Sequence, residues 1–343
     1  MDDRFLQLSV QDRRDALTVA GAASHRPIHL LEKDVWVVWA LETVFAAPFG
    51  AHLVFKGGTS LSKAYGVIRR FSEDLDLTYD IRALAPDLLG AEGDVLPSTR
   101  SQERKWSKEI RTRLPAWIEA EALPAIASAL TAGGLPARAR AEANKIHIEY
   151  EPVATGTGYV PPSVMLEFGA RSTGEPWEAL PVACDAAAHL SQLAFPQATP
   201  RVMRVERTFW EKATAIHVFC AQGRFRGADR FARHWHDIAR LGETGHAARA
   251  ISDIEVAQAV ARHKTIFFSE NDAEGRSVDY EAAIAGQLRL VPEGQARDVL
   301  AEDYRRMVED GLLLDEAESF QALMARCGDI ERQANAAHSS KKE

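Results

Sequence analysis

Residues 55–77 read Phe-Lys-Gly-Gly-Thr-Ser-Leu-Ser-Lys-Ala-Tyr, a short spacer, then Arg-Arg-Phe-Ser-Glu-Asp-Leu-Asp-Leu. The end of this stretch constrains the fold most. Acid and leucine alternate at Asp74, Leu75, Asp76 and Leu77, and alternate residues of a strand share a face. A strand here must bury two leucines and present two carboxylates together. Residues 74–79 are expected to form it, and the apolar residues 52–55 a short strand before it, ending at Lys56. The glycine pair between them turns the chain. Thr59 or Ser60 can then cap a short helix reaching Tyr65.

The chemistry follows from those residue types. Asp74 and Asp76 on one face make a site for a hard divalent cation, Mg²⁺ or Mn²⁺. Gly57 and Gly58 permit close backbone approach. With Thr59 and Ser60 they form a turn whose N–H groups can face a phosphate. Nucleotidyl or phosphoryl transfer needs such a turn beside a carboxylate metal site. Either half alone has a plain reading, as a routine turn or as solvated strand-end acids. No Gly-Lys-Ser/Thr ends the turn, so it is not a Walker A loop. Lys56 and Lys63 flank it and can touch phosphate or water. Ser72 can bond a triphosphate oxygen or cap the strand. An EF-hand beginning at Asp74 fails, because Tyr79 stands where that loop needs glycine.

A chain of 343 residues is long enough for one large domain or two ordinary ones. Its net charge of −8 argues against a whole-surface nucleic-acid binder but leaves room for a local basic groove. Cys184, Cys220 and Cys327 are far apart and odd in number, which suggests neither a disulfide framework nor a metal site and fits a reducing cytoplasm. No signal pattern opens the sequence. Residues 35–55 carry one formal charge, Glu42, and approach membrane-spanning length. Pro48, Gly50 and His52 interrupt them, so a buried helix feeding a core strand is expected and no membrane partner.

Residues 1–45 read as helices, the second capped by Asp34, with Trp36, Ala40 and Val44 at helical spacing. Residues 82–100 form a proline- and glycine-punctuated connection, 101–132 a helical stretch, and 145–150 and 163–168 alternating strands. Loops are expected up to Pro200. From Val202 the chain turns helical, one helix carrying Phe209, Lys212, Ala213 and Ile216 and another Phe231, Trp235 and Ile238. A frayed tail follows from Ser339. A two-metal site usually needs a third acid. Glu167, on a strand face opposite Leu166 and Phe168, is the first candidate, and Glu149 the competitor. Residues 223–236 mix Arg224, Arg226, Arg230 and Arg233 with Phe225, Phe231 and Trp235, which suits an RNA backbone with a stacked base or, equally, a basic loop over core helices. His234 and His236 lack a third soft ligand and read as core or surface histidines.

Taken together these residues resemble the AbiEii/AbiGii-type nucleotidyltransferase toxin family, to which the MenT toxins are related. The family pattern is a Gly-Gly-Thr/Ser turn with a nearby Leu, then Arg-x-Ser-x-Asp-(Leu/Ile)-Asp. It is met by Gly57, Gly58, Thr59, Leu61, Arg70, Ser72, Asp74, Leu75 and Asp76. The resemblance implies an α/β (α+β) fold. A nucleotidyltransferase-like mixed-sheet domain would span residues 1–200, and a helical domain, 201–335, would complete the cleft. It implies a metal-dependent toxin that moves a nucleoside monophosphate from an NTP to an acceptor, the tRNA 3′ end in at least some members, and so blocks translation. A protein hydroxyl as acceptor, or a silent nucleotide binder, stay as rivals. A cognate antitoxin, often a winged-helix DNA-binding protein, would accompany it. The family's acid on a strand followed by Arg supports Glu167 with Arg171. Its lysine on a helix after the sheet, then an aspartate on the next helix, fall on Lys212 and Asp237. Lys212 would neutralise triphosphate charge, and Asp237 would orient that lysine or bind nucleotide.

Overall fold

The computed structural model describes residues 3–72, 74–90, 95–156, 160–223, 225, 230–309 and 311–339. Arg224, Arg226 and the tail beyond Ser339 lie outside them. The chain divides into two compact units. The first comprises Met1–Ala64, Ser72–Val95 and Arg104–Met203, and the second Tyr65–Phe71, Leu96–Glu103 and Arg204–Glu343.

Among the described residues the strands all fall in the first unit: β1 (Asp3–Arg4), β2 (Leu53–Lys56), β3 (Asp74–Tyr79), β4 (Ala137–Glu142), β5 (Lys145–Tyr150), β6 (Ser163–Gly169), β7 (Trp177–Ala179), β8 (Val182–Ala183), β9 (Leu193–Ala194), β10 (Gln197–Ala198) and β11 (Arg201–Met203). Seven form one mixed sheet in the order β4-β5-β6-β3-β2-β11-β7. β3 runs parallel to β6 and β11 parallel to β2, the other neighbours being antiparallel. The helices up to residue 132 are α1 (Val10–Ser24), α2 (Ile28–Ala46), α3 (Gly57–Lys63), α4 (Ile81–Leu84), α5 (Arg100–Trp117) and α6 (Leu123–Ala132).

Period-two alternation builds the sheet as the sequence requires. Leu75, Leu77, Ile146, Ile148, Val164, Leu166 and Phe168 are all buried. Residues between them on the opposite face stay half-buried. Aromatic packing seals the apolar face. Trp36 of α2 stacks on Tyr150 at 5.1 Å, and Trp117 of α5 stacks on Tyr79 at 4.0 Å and meets Phe168 edge-on. Both acids of β3 are thereby left on the other face.

α2 is buried on nearly every side, yet it carries Glu32, Lys33 and Asp34 in succession, all buried. Consecutive helical residues point about 100° apart, so the three reach different segments. Both Glu32 oxygens accept from the Val153 N–H at 3.0 Å. Burial pushes the Glu32 carboxyl up to about 7 despite that bond. Lys33 Nζ donates to the Pro161 carbonyl at 3.0 Å. Asp34 accepts from the Asp185 N–H at 2.7 Å and pairs with Lys63 Nζ at 2.6 Å. Asp34 is therefore not the cap of α2 but an anchor inside it. Among the described residues no helix is long and apolar enough to cross a membrane.

The second unit is helical: α7 (Val205–Gln222), α8 (Ala232–Glu243), α9 (His246–Ser252), α10 (Ile254–Phe267), α11 (Tyr280–Ala282), α12 (Gly294–Glu309) and α13 (Phe320–Ser339). Phe209, Trp210, Ala213, Ile216, Trp235 and Ile238 form its core, fully buried. Trp210 and Trp235 donate their indole N–H to the carbonyls of Ala250 and Leu290 at 2.8 and 2.6 Å, so neither polar tip is wasted. The segment Tyr65–Phe71 belongs to this unit. Phe71 N–H donates to Leu312 O at 2.8 Å, and Leu314 N–H to Arg69 O at 2.9 Å.

Candidate functional site

In the first unit β3 places Asp74 and Asp76 on one face, half-buried, with Leu75 and Leu77 beneath. Antiparallel pairing sets Lys56 opposite Asp76. The next residue, Gly57, opens α3 with φ at +78°. A Cβ there would lie 2.0 Å from Asp76 Oδ2. The turn and the carboxylate are thus in direct contact, and only glycine fits both the dihedral and the space. Gly58 follows inside α3 and has no left-handed φ.

The hydroxyls of the turn serve the turn itself. Thr59 Oγ1 donates to the Asp74 carbonyl at 2.5 Å and lies 2.9 Å from Ser72 Oγ. Ser60 Oγ donates to the Gly57 carbonyl at 2.8 Å. Both residues are buried and lie inside α3, whose N-cap position is Lys56, so neither hydroxyl caps the helix as the sequence suggested. Thr59 and Ser72 instead tie α3 to the start of β3. Lys63 is also redirected: its Nζ pairs with Asp34 at 2.6 Å and Asp185 at 2.7 Å and is nearly buried, so it is not solvated.

Register separates the two candidate third acids. Glu167 is the direct partner of Asp76 across the parallel β3–β6 pair, on the same face. Its carboxylate pairs with Lys145 Nζ at 3.1 Å. Glu149 lies opposite Ser163, further along the sheet, and its oxygens accept from Arg138 Nε at 2.7 Å and Arg140 Nε at 2.9 Å. Those guanidiniums hold the Glu149 carboxyl below its ordinary value. Among the described residues no three His, Cys, Asp or Glu side chains converge closely enough to hold a metal ion. Mg²⁺ is often bound by one or two carboxylates plus substrate phosphates and water, and the oxygen donors of Asp74 and Asp76 suit that mode.

In the second unit Lys212 of α7 and Asp237 of α8 meet at 2.9 Å, Nζ to Oδ2, both buried. Arg70 completes the group with a two-pronged bond, Nε to Oδ1 and Nη2 to Oδ2, each 2.8 Å. Burial alone would raise the Asp237 carboxyl, but Arg70 and Lys212 override it and hold it well below the usual range. The sequence marked Arg70 only as a pattern position. Its partner lies 167 residues away, and no local signal reveals the pair. His234 is driven down to about 3 by burial and then Lys212, and His236 is buried, as core histidines are. Phe225, Phe231 and Trp235 pack on one another and Phe219, with centroids 4.9–6.2 Å apart. Of these rings Trp235 is fully buried and Phe225 and Phe231 are half-buried.

The sequence pattern of the nucleotidyl transferase AbiEii toxin family, Type IV toxin–antitoxin system, matches residues 39–326. The chain belongs to this family. That AbiEii match spans the glycine turn, both aspartates of β3, Lys212 and Asp237. Membership makes the chain one of a group of toxin nucleotidyltransferases, with a nucleotide substrate and a cognate antitoxin, on the mixed α/β fold described above. Among solved structures, one from H. pylori described as a candidate nucleotidyltransferase shares 14% identity, covers 91% of this chain and 96% of its own, and gives a TM-score of 0.41. MenT4, a nucleotidyltransferase toxin from Mycobacterium tuberculosis H37Rv, shares 16% identity, covers 97% and 99%, and gives 0.38. No curated protein matches the AbiEii chain.

Proposed function

We propose that this AbiEii family member transfers a nucleoside monophosphate from an NTP to the 3′ end of tRNA, blocking translation in the cytoplasm. The observation that carries the reading is the contact of Gly57 with Asp76. A turn suited to phosphate touches a carboxylate suited to the metal that accompanies phosphate. In the reaction the acceptor 3′ oxygen bonds to the α-phosphorus, the bond from that phosphorus to the bridging oxygen breaks, and pyrophosphate leaves. The hydroxyl proton passes to solvent.

Asp74 and Asp76 would hold Mg²⁺ or Mn²⁺, and Glu167, beside Asp76 in register, would join them as the third acid only on leaving Lys145. The metal would supply charge neutralisation and activation of the attacking hydroxyl. The backbone of Gly57 and Gly58, with Thr59, Ser60 and Ser72 fixing its shape, cradles the triphosphate. Lys212 neutralises triphosphate charge. Asp237 orients Lys212. Engaged by two cations and far from protonation, it is poorly suited to act as a base. The antitoxin would be a DNA-binding protein of the winged-helix kind.

Pyrophosphate release from each NTP, with and without Mg²⁺ and with and without tRNA, tests this. Release that needs both metal and tRNA is expected. Release without RNA, accompanied by nucleotide on protein, would replace tRNA with a protein hydroxyl. Nucleotide binding with no release under any condition would make the chain a silent binder.

A further inference from the structure

The face of the sheet that bears Asp74 and Asp76 continues, strand by strand, to the edge strand β4. Pairing carries the row of Asp76 through Glu167 and Lys145 to Glu142, and the row of Asp74 through Met165 and His147 to Arg140. One row further, Arg138 stands opposite Glu149. The other face of β4 presents Ala137, Ala139 and Ala141 alongside the buried Tyr150, Ile148 and Ile146. Arg138 and Arg140 are therefore on the side of the acids and lie outside the apolar core.

The two arginines are held in a particular way. Glu149 accepts from both Nε atoms, one oxygen each, and is itself the less exposed partner, at 29% against 83% for Arg138 and 49% for Arg140. Arg140 spends Nη1 on Glu142 at 2.8 Å. Among the described residues Arg138 bonds through its Nε alone, and its side chain is 83% exposed, so its outer amino groups project outward with their donors available. Residues i and i+2 of a strand stand about 6.7 Å apart, a separation comparable to successive phosphates of an extended nucleic-acid strand. A guanidinium pinned at Nε and open at its outer edge is preorganised for phosphate. Three strand spacings, about 14 Å, separate β4 from β3, the length of a few unpaired nucleotides.

We propose that Arg138 and Arg140, oriented by Glu149, bind the phosphates of the single-stranded end of the acceptor RNA as it crosses β4, β5 and β6 toward Asp74 and Asp76. This rests on the reading that RNA is the acceptor. It replaces Glu149 as a metal ligand with Glu149 as the brace of an RNA contact, and it supplies a local basic contact on a chain whose net charge is −8.

The test pairs Arg138→Ala/Arg140→Ala with a charge-matched control on α5, Lys108→Ala/Arg111→Ala, both exposed. The tRNA KM, the NTP KM, kcat and the salt dependence of tRNA binding are measured for each, beside the wild type. The β4 variant should raise the tRNA KM about 10-fold or more with kcat and NTP KM unchanged. Loss of two single-strand phosphate contacts should reduce the magnitude of the salt slope by about 1.4. The control should match wild type. A β4 variant with wild-type tRNA KM and slope overturns the proposal while the RNA reading stands. Wild-type label transfer to protein in place of RNA overturns both.

Discussion

Gly57→Ala is expected to lower nucleotidyl transfer by about 100-fold or more, the order of loss seen when one oriented charge-stabilising group is removed, while the chain stays folded. Two costs act at once. Gly57 sits at φ +78°, where a Cβ costs roughly 1–2 kcal/mol. The added methyl would also lie 2.0 Å from Asp76 Oδ2 and 2.8 Å from its Cγ, so the carboxylate must swing away. The buried side of β3 is untouched, because Leu75 and Leu77 face the opposite way. Circular dichroism and a melting curve near wild type, together with lost transfer and weakened Mn²⁺ binding by the free enzyme, are the expected set. Full activity in a folded Gly57→Ala chain would detach the turn from the function of Asp76.

Asp237→Asn has the larger effect on stability. It leaves Arg70 and Lys212 buried against a neutral amide. Removing one member of a buried charged group costs about 3–5 kcal/mol, and here two cations lose their shared partner. The sign with pH follows from the depressed Asp237 carboxyl. The stabilisation is complete above the unfolded carboxylate value near 3.8 and is lost as pH falls through the lower folded value. The gap between wild type and Asp237→Asn in denaturant melts should be widest at neutral pH and shrink in strong acid. Lys212→Met, which keeps the Arg70–Asp237 fork, should lose far less stability yet lose transfer. Equal stability losses in the two variants would contradict the division between a holding aspartate and a working lysine.

What the sequence made legible follows from the range of each interaction. β3, β5 and β6 declare themselves by alternation of acids or polar residues with Leu, Ile, Val and Phe, and they form where that pattern lies. β4 alternates as well, Ala-Arg-Ala-Arg-Ala-Glu, but alanine is a poor strand former and gives a faint signal. β7 to β11 have two or three residues each, too short for any period. Asp34 preceding an apolar run reads as a cap because its true partner, Lys63, is remote in sequence. Lys63 reads as a residue that touches phosphate or water for the same reason. Arg70 with Asp237, and the assignment of Glu149 to two arginines, depend on pairings and register that only the folded chain defines.

The central claim is that Asp74 and Asp76 support transfer of a nucleotide to RNA. Label transfer tests it most directly. Purified chain, Mg²⁺, each α-labelled NTP in turn and total bacterial tRNA are incubated and resolved on a denaturing gel, beside Asp74→Ala/Asp76→Ala. Label on tRNA from at least one NTP, absent with the double variant and absent without Mg²⁺, is the predicted result. Label on tRNA that persists at wild-type level in the double variant would contradict the account.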